Sequence, residues 1–399
     1  MDCRAVPTTL ELAGTRGGVL KDLFQAHLPG FLSEADAHGM GLPRHVRREL
    51  ERFLGCGEPL SGFAWLQCRV CDHHRLVPFS CKGRGFCPSC GGRRMAAFAA
   101  NTVDRVLARV PVRQWVLTLP WSLRLLLAHR HDLACGVLKI AFQVIQDDYR
   151  ARAAPRLRDT DLRTGSITVL QRFGSDLRLN PHFHMLVPDG VWHRDEDTGG
   201  LRFHKTPAPS TEHVAEVVER IAVKATRWLI RQGVEDLEDP DPDDVQLLLQ
   251  AASASGCAAL GRRAGRRART VRVLAGREVP LPPRCASCDG YNLHAGVVVR
   301  GSDRKGLERL CRYLARPPIA RDRLEWTESG DVVLRFKRPW AGGAPERRHQ
   351  RGRPVTVGAS PTPGCPGPPA GRPHCAYPLW SSTGCSAARL SGVPRWSPS

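Results

Sequence analysis

Two pairs of cysteines stand at a spacing that is typical of metal binding. Cys68 and Cys71 form one Cys-x2-Cys pair, and Cys87 and Cys90 form a second, with 15 residues between the pairs. Each tight turn places two sulfurs on the same side of an ion, so this spacing predicts a tetrahedral zinc site with four thiolate ligands. Since nothing in the pattern indicates an open coordination position, we expect the zinc to be structural.

Two more cysteines leave the complete ligand set open. Cys56 and Cys81 can bind a second metal with help from His73 or His74, or they can simply pack in the core. The same stretch of chain carries basic side chains that a small zinc module would offer to DNA, and these are Lys82, Arg84, Arg93 and Arg94.

A pair of histidines is the second feature that can do chemistry. Residues two apart on a strand face the same way, so Asn180–Val187 presents His182 and His184 side by side and turns Phe183 into the core. Two adjacent imidazoles can hold a divalent ion at the face of a sheet. An isolated His-x-His pair is, however, more often a solvated strand face, so the interpretation depends on its context.

Hydrophobic periodicity predicts the elements that position these residues. The predicted helices span residues 44–54, 91–110, 133–153, 211–232 and 302–315, and the predicted strands span 115–119, 166–173, 179–187, 293–300 and 332–337. Strands and helices in this order indicate an α+β domain with a partly exposed sheet. On the hairpin of 166–173 and 179–187, Gln171 lies roughly across from Asn180, on the face of His182, and is a candidate third metal ligand.

The charge of the chain indicates a polyanionic partner. The formal net charge is +20 at pH 7 and the sequence pI is about 9.9. Neutralising phosphates with Lys and Arg releases counterions, which favours nucleic-acid binding, although Arg-rich codon usage in a GC-rich genome would produce the same surplus. No apolar run is long enough to span a bilayer and no signal-peptide pattern is present, so we expect a cytoplasmic protein whose 15 cysteines stay reduced.

Composition and motifs divide the chain into four parts. We expect an N-terminal helical segment at 1–55, a zinc-binding module at 56–95 and a catalytic domain at 96–340, with an irregular insertion at 235–290. Residues 341–399 are rich in Pro, Gly, Arg and Ser, lack periodicity and are expected to be disordered. We do not expect a helicase function, because the chain has no Gly-x4-Gly-Lys-Ser/Thr loop.

Several short sequence motifs resemble those of a known family. They are FSCKGRGFCPSC at Phe79–Cys90, QWVLTLPW at Gln114–Trp121, QRFG at Gln171–Gly174, NPHFHMLVPDGVW at Asn180–Trp192 and LCRYLARPP at Leu310–Pro318. In this order they resemble the rolling-circle insertion-sequence transposases of the IS91 type and their common-region relatives, over roughly residues 20–340. These proteins belong to the HUH endonuclease superfamily and have an N-terminal transposase zinc-binding domain. The resemblance therefore implies a small zinc-binding module followed by an HUH-type catalytic domain, with a central antiparallel sheet and flanking helices.

The resemblance implies a mechanism. The family's nucleophilic tyrosine falls on Tyr313, which would attack one DNA strand to form a 5′-phosphotyrosine and free a 3′-hydroxyl. His182 and His184 would hold Mg²⁺ or Mn²⁺ at the scissile phosphate. The partner would be single-stranded DNA at the transposon ends and target, in the bacterial nucleoid, and further DNA contacts would come from Arg172, Arg312 and Arg316.

The chain departs from the family at two places. Some members carry two tyrosines four residues apart, but Arg309 and Pro317 occupy the positions four before and four after Tyr313, so a single-tyrosine enzyme is expected. After Trp340 the ordered family sequence gives way to the Pro/Gly/Arg tail. We hypothesise that a frameshift replaced the native C-terminus, which translation of the other two reading frames beyond codon 340 tests.

Two alternatives to an active transposase remain open. A plasmid relaxase or replication initiator of the same superfamily also uses a histidine pair and a tyrosine, although the cysteine module and the word at Leu310–Pro318 favour the transposase. A truncated, inactive remnant would bind DNA without cutting it. Metal-dependent nicking separates the enzymes from the remnant.

Overall fold

The computed structural model describes residues 11–12, 18–37, 41–70, 74–83, 85–155, 157, 161–174, 177–195, 198–234, 245–260, 264–266, 281–328, 332–335 and 346–349. Its helices are α1 (Val19–Ala37), α2 (Arg44–Leu54), α3 (Pro88–Asn101), α4 (Arg124–His129), α5 (His131–Ala153), α6 (Thr211–Arg231), α7 (Val245–Ser255) and α8 (Arg304–Leu314). Its strands are β1 (Glu11–Leu12), β2 (Phe63–Gln67), β3 (His74–Pro78), β4 (Val112–Thr118), β5 (Ile167–Phe173), β6 (Leu179–Pro188), β7 (Gly190–Arg194), β8 (Leu201–Lys205), β9 (Cys285–Cys288), β10 (Tyr291–Val299), β11 (Leu324–Trp326), β12 (Val332–Arg335) and β13 (Glu346–His349).

A five-stranded antiparallel sheet with the order β5-β6-β4-β10-β9 forms the centre of the fold. β6 lies between β5 and β4. Its residues Phe183, Met185 and Val187 are fully buried in the main hydrophobic core. Because side chains alternate along a strand, this apolar set fixes the register and turns the even-numbered residues of β6 to the opposite face.

Helices cover both faces of this sheet. On one face, α5 and α6 pack on the apolar side chains of the strands in the main core. On the other face, a second core combines residues of α3 and α8 with Val112 and Leu186 of the sheet. The buried residues of α8 are Leu307, Cys311 and Leu314, a helical spacing that gives α8 one apolar stripe. This stripe holds α8 against the face of β6 that carries the histidines.

A buried ion pair fixes β4 in the sheet. The Arg113 guanidinium donates to both carboxylate oxygens of Asp189 at 2.8 Å and to the Ala295 carbonyl oxygen at 2.8 Å. The Tyr149 hydroxyl donates to Asp189 at 3.1 Å. These bonds satisfy a charge pair that would be costly to bury alone, and they join β4 to β10, to α5 and to the residue that follows β6.

The predicted α+β class with a central antiparallel sheet is confirmed. Apart from shifts of one to three residues at the ends of elements, three differences from the predicted elements stand out. The helix expected at 91–110 ends at Asn101 and continues as a single π-turn at Thr102–Val106. The Arg304 guanidinium donates to the carbonyl oxygens of Val103 and Leu107, which replaces the helical hydrogen bonds there.

The other two differences lie in segments expected to lack regular structure. The interval 235–290 contains α7, which packs against α4 and β6, and the edge strand β9. In the predicted tail, β13 pairs with the buried strand β12, because an open sheet edge is a template for another strand. The rest of the tail lies outside the described residues. None of the described helices combines the length and apolar character needed to cross a membrane.

Candidate active site and metal centre

His182 and His184 lie side by side on β6, on the sheet face that α8 covers. Their ring centroids are 4.8 Å apart. His182 pairs across the ladders with Gln171 of β5 and Thr118 of β4, so the pair occupies the interior of the sheet and not its edge. His184 is 3% exposed and His182 is partly buried, which contradicts a solvated strand face.

Hydrogen bonds at the Nδ1 atoms orient both imidazole rings. The Nδ1 of His182 lies 2.7 Å from the Asn180 carbonyl oxygen, which can only accept, so this nitrogen carries the proton and Nε2 keeps its lone pair. The Nδ1 of His184 lies 2.8 Å from the side-chain amide of Gln114 on β4. The Nε2 of His184 is buried and has no partner among the described residues.

Burial keeps both histidines neutral. Desolvation lowers the pKa of His182, with the positive charges of Arg316 and Arg124 acting in the same direction. Desolvation, His182 and Arg316 together lower the pKa of His184 to about 3. Neutral imidazole is the form that ligates a metal ion, and a buried Nε2 without a partner is costly unless something binds it.

Gln171 faces the histidine pair from the neighbouring strand. It was expected to lie across from Asn180, but the ladder pairs it directly with His182, two residues further along β6. Its amide nitrogen donates to the carbonyl oxygens of Tyr313 (3.2 Å) and Leu314 (2.7 Å), and its Oε1 is buried without a partner among the described residues. Gln171 therefore anchors the end of α8 from the ladder position beside His182.

Tyr313 lies in the last turn of α8, above the histidine pair. Its ring centroid is 5.6 Å from that of His184, with the ring planes nearly perpendicular, and the residue is 40% exposed. The Arg316 guanidinium stacks over the Tyr313 ring at 4.5 Å. The fold thus brings together an exposed tyrosine, two neutral imidazoles and a guanidinium, although 129 positions separate His184 from Tyr313 in the sequence.

The other basic residues expected to contact DNA are spread over the surface. Lys82, Arg93, Arg94 and Arg312 are exposed, and Arg172 is partly buried. Arg312 pairs with Glu308 at 2.6 Å, and Arg94 donates to the Lys82 carbonyl oxygen at 2.7 Å. Arg84 lies outside the described residues.

Four buried cysteines form a metal centre in the N-terminal half. They are Cys56, Cys81, Cys87 and Cys90, and their sulfurs all lie within 4.8 Å of one another. Three of the sulfur pairs are separated by 3.5, 3.7 and 3.9 Å. Four sulfurs at 2.3 Å from a tetrahedral zinc ion would be about 3.8 Å apart, so the cluster fits Zn²⁺.

Short structural elements bring these cysteines together. Cys56 follows the end of α2, Cys81 follows β3, and Cys87 is the N-cap of α3, with Cys90 in the first turn. The Gly83 amide donates to the Cys81 sulfur at 3.3 Å. The adjacent Cys56 sulfur and burial raise the pKa of the Cys87 thiol to about 11. Four thiolates this close together would need a cation to compensate their charge.

The expected zinc ligand set was partly wrong. Cys87 and Cys90 are in the cluster, but Cys68 is not, and Cys71 lies outside the described residues. Cys68 follows β2 at the far end of the β2–β3 hairpin, where Gln67 pairs with His74. Each strand of the hairpin has five residues and rises by about 3.3 Å per residue, so this end lies roughly 15 Å from the base of the hairpin.

The alternative of a second metal on Cys56 and Cys81 is also wrong, because both cysteines complete the first site. The Nδ1 of His74 accepts a hydrogen bond from the Trp65 indole at 2.8 Å, and His73 lies outside the described residues. Cys56 and Cys81 stand at the base of the hairpin, where its two ends meet.

Gln114 is a site residue that sequence reasoning missed. The available signal was a single glutamine in the otherwise apolar motif QWVLTLPW. In the structure Gln114 is 4% exposed and its side chain contacts His184. If its amide turns so that the oxygen accepts from Nδ1–H, the Nε2 of His184 has its lone pair free for a metal ion. Gln114 is thus placed to select the tautomer of His184.

The Gln114→Leu variant should bind Mn²⁺ about 10–100-fold more weakly than the native protein, because the leucine cannot hold the His184 ring. Gln114→Glu keeps an acceptor and should restore most of the affinity. Calorimetric titration of the zinc-loaded protein with Mn²⁺ measures this. Equal affinities in the Leu variant and the native chain would contradict a role in ring orientation.

The histidine site as a whole fits a divalent cation. Two imidazole nitrogens and one amide oxygen lie on one face of the sheet, and two of these atoms are buried with no partner in the part of the chain that the structure describes. Such a donor set leaves further coordination positions for water or phosphate oxygens. Together with the Tyr313 hydroxyl and the neighbouring Arg316 guanidinium, such an arrangement would suit phosphoryl transfer.

Two family models match the chain. One, described as "Transposase zinc-binding domain", covers residues 23–119, and the other, described as "Putative transposase", covers residues 165–353 and so continues past Trp340. The first range contains the cysteine cluster, and the second contains the histidine pair and Tyr313. No curated protein and no solved structure matches the chain. The chain is therefore an IS91-type transposase with an N-terminal zinc-binding domain.

Proposed function

We propose that this transposase nicks and rejoins single-stranded DNA through a covalent bond to Tyr313, and that it moves an insertion sequence by a rolling-circle mechanism. The observation that carries the proposal is the placement of the Tyr313 ring 5.6 Å from His184, over two neutral imidazoles. A structural tyrosine would be expected to pack inside, whereas Tyr313 is 40% exposed at the site.

In this proposal, His182 and His184 hold Mg²⁺ or Mn²⁺ through Nε2, and Gln171 contributes Oε1. When bound, the cation polarises the scissile phosphate and stabilises its developing charge. The Tyr313 hydroxyl attacks the phosphorus, its proton passes to solvent, and the bond to the 3′ oxygen breaks. That oxygen takes up a proton and leaves as a 3′-hydroxyl. Arg316 lies where it can neutralise the phosphate.

The covalent step explains how strand transfer proceeds without a nucleotide cofactor. The phosphotyrosine bond conserves the energy of the phosphodiester, so a 3′-hydroxyl of another strand can displace Tyr313 and restore the DNA backbone. With Arg309 and Pro317 at the flanking positions, each chain supplies one nucleophile. Two simultaneous covalent attachments would therefore need two copies of the chain.

The test is incubation of the zinc-loaded protein with labelled single-stranded DNA that carries the ends of the insertion sequence encoding it. With Mg²⁺ or Mn²⁺ we expect an adduct that survives denaturing electrophoresis, and with EDTA we expect none. The same DNA as a perfect duplex should give little adduct, because its bases are paired. Binding without any adduct would instead favour the truncated, binding-only protein.

A further inference from the structure

The zinc-binding module touches the segment that follows the nucleophile, and the contact is made by a glycine. Gly91 follows the ligand Cys90 directly, and its amide donates to the Cys87 carbonyl oxygen at 2.8 Å. A Cβ built on Gly91 would lie 2.9 Å from the Cβ and 3.4 Å from the Cγ of Pro317. Real Cβ atoms do not approach each other that closely, so no other residue fits here without displacing Pro317.

Pro317 belongs to the machinery around Tyr313. It follows Arg316, whose guanidinium stacks on the Tyr313 ring, and it comes just after the end of α8, where Gln171 holds the last carbonyl oxygens. Beyond this contact, Ala99 of α3 and Val103 of the π-turn share a core with Leu307, Cys311 and Leu314 of α8. A shift of Pro317 would therefore move Arg316 and the last turn of α8 together.

We propose that the close contact between Gly91 and Pro317 makes the cysteine module a positioning element for Tyr313. The proposal rests on the proposed function for its catalytic consequence, but the mechanical coupling can be measured without it. The cysteine cluster holds the start of α3 in place through Cys87 and Cys90. Gly91, in the same turn, then determines how closely Pro317 can approach. Well-packed interfaces transmit such displacements because they contain little free volume.

The chain offers a matched control for this contact. Gly92 is the next residue of the same helix, and a Cβ built on it would meet nothing within 4 Å. Alanine favours a helix over glycine, so Gly92→Ala should be neutral or slightly stabilising. Gly91→Ala has the same intrinsic preference but must displace Pro317. Any difference between the two variants therefore reports the contact and not the change in helix propensity.

The first measurement is hydrogen exchange in the peptide that covers residues 307–316, in the zinc-loaded full chain. We expect Gly91→Ala to speed exchange in the last turn of α8 about tenfold, and Gly92→Ala to leave it unchanged. Zinc content should be the same in both. Equal exchange in the two variants would overturn the proposal, whether or not the native chain forms an adduct with DNA.

The second measurement is the rate of adduct formation. It should fall at least about tenfold in Gly91→Ala and not in Gly92→Ala, with binding to single-stranded DNA unchanged, since a small misplacement of a nucleophile costs rate. Absence of adduct from the native chain would count against the proposed function alone.

A double-mutant cycle distinguishes an effect of the Gly91–Pro317 contact from a general destabilisation of the zinc-binding module. A Pro317→Gly background removes the two closest atoms, Cβ and Cγ, and leaves the Cα at 3.8 Å from the added Cβ, which is an ordinary contact. Gly91→Ala should therefore change exchange in α8 no further in that background. If Gly91→Ala loses zinc or speeds exchange equally in that background, the contact is not the cause and the proposal fails.

Discussion

Replacing Tyr313 with phenylalanine should remove all covalent adduct between this transposase and single-stranded DNA. The substitution deletes only the hydroxyl that would attack the phosphorus. The ring, its stacking with Arg316 and its contact with His184 are kept, so DNA affinity and thermal stability should be unchanged. Denaturing electrophoresis of protein with labelled DNA measures the adduct, and fluorescence anisotropy measures the binding.

Tyr291→Phe is the matched control for this variant. The chain has four tyrosines, and Tyr291 is 1% exposed on β10, where DNA cannot reach it. The Tyr291→Phe protein should therefore form the adduct at the rate of the native protein. If the Tyr313→Phe protein still forms a phosphotyrosine bond, another residue is the nucleophile and the assignment made here is wrong.

Replacing Cys81 with serine should cost the protein its bound zinc, whereas replacing Cys68 with serine should leave the zinc in place. Cys81 is buried among the other three sulfurs of the cluster, while Cys68 lies at the far end of the β2–β3 hairpin. Structural zinc contributes roughly 10–16 kcal/mol of apparent binding free energy in small zinc-finger peptides, so its loss should unfold the module around the cluster.

Elemental analysis of the purified variants measures this directly. We expect about one zinc per chain for the native protein and for Cys68→Ser, and a large loss for Cys81→Ser, with a lower thermal midpoint. The opposite pattern would show that Cys68 and Cys71 are ligands after all. Both substitutions replace a thiol with a hydroxyl, so the comparison isolates the position of the cysteine in the fold.

The sequence was sufficient for features that depend on local periodicity. The alternation around Phe183 placed His182 and His184 on one face of a strand, because side-chain direction repeats every two residues in any strand. Apolar spacing likewise predicted α8 to within two residues of its observed start, and α2 at its observed bounds. The proximity of Tyr313 to the histidines rested on the family resemblance and not on any local pattern.

Contacts between distant segments needed the folded chain. Two Cys-x2-Cys pairs suggested one zinc site, but the β2–β3 hairpin separates Cys68 from Cys87 and joins Cys56 to Cys81 at its base. Gln114 reaches His184 across two paired strands, and Gly91 at the start of α3 meets Pro317 just beyond the end of α8. Sequence spacing specifies which way a side chain points within its own element. Its neighbours depend on strand pairing and helix packing, which bring together residues far apart in the chain.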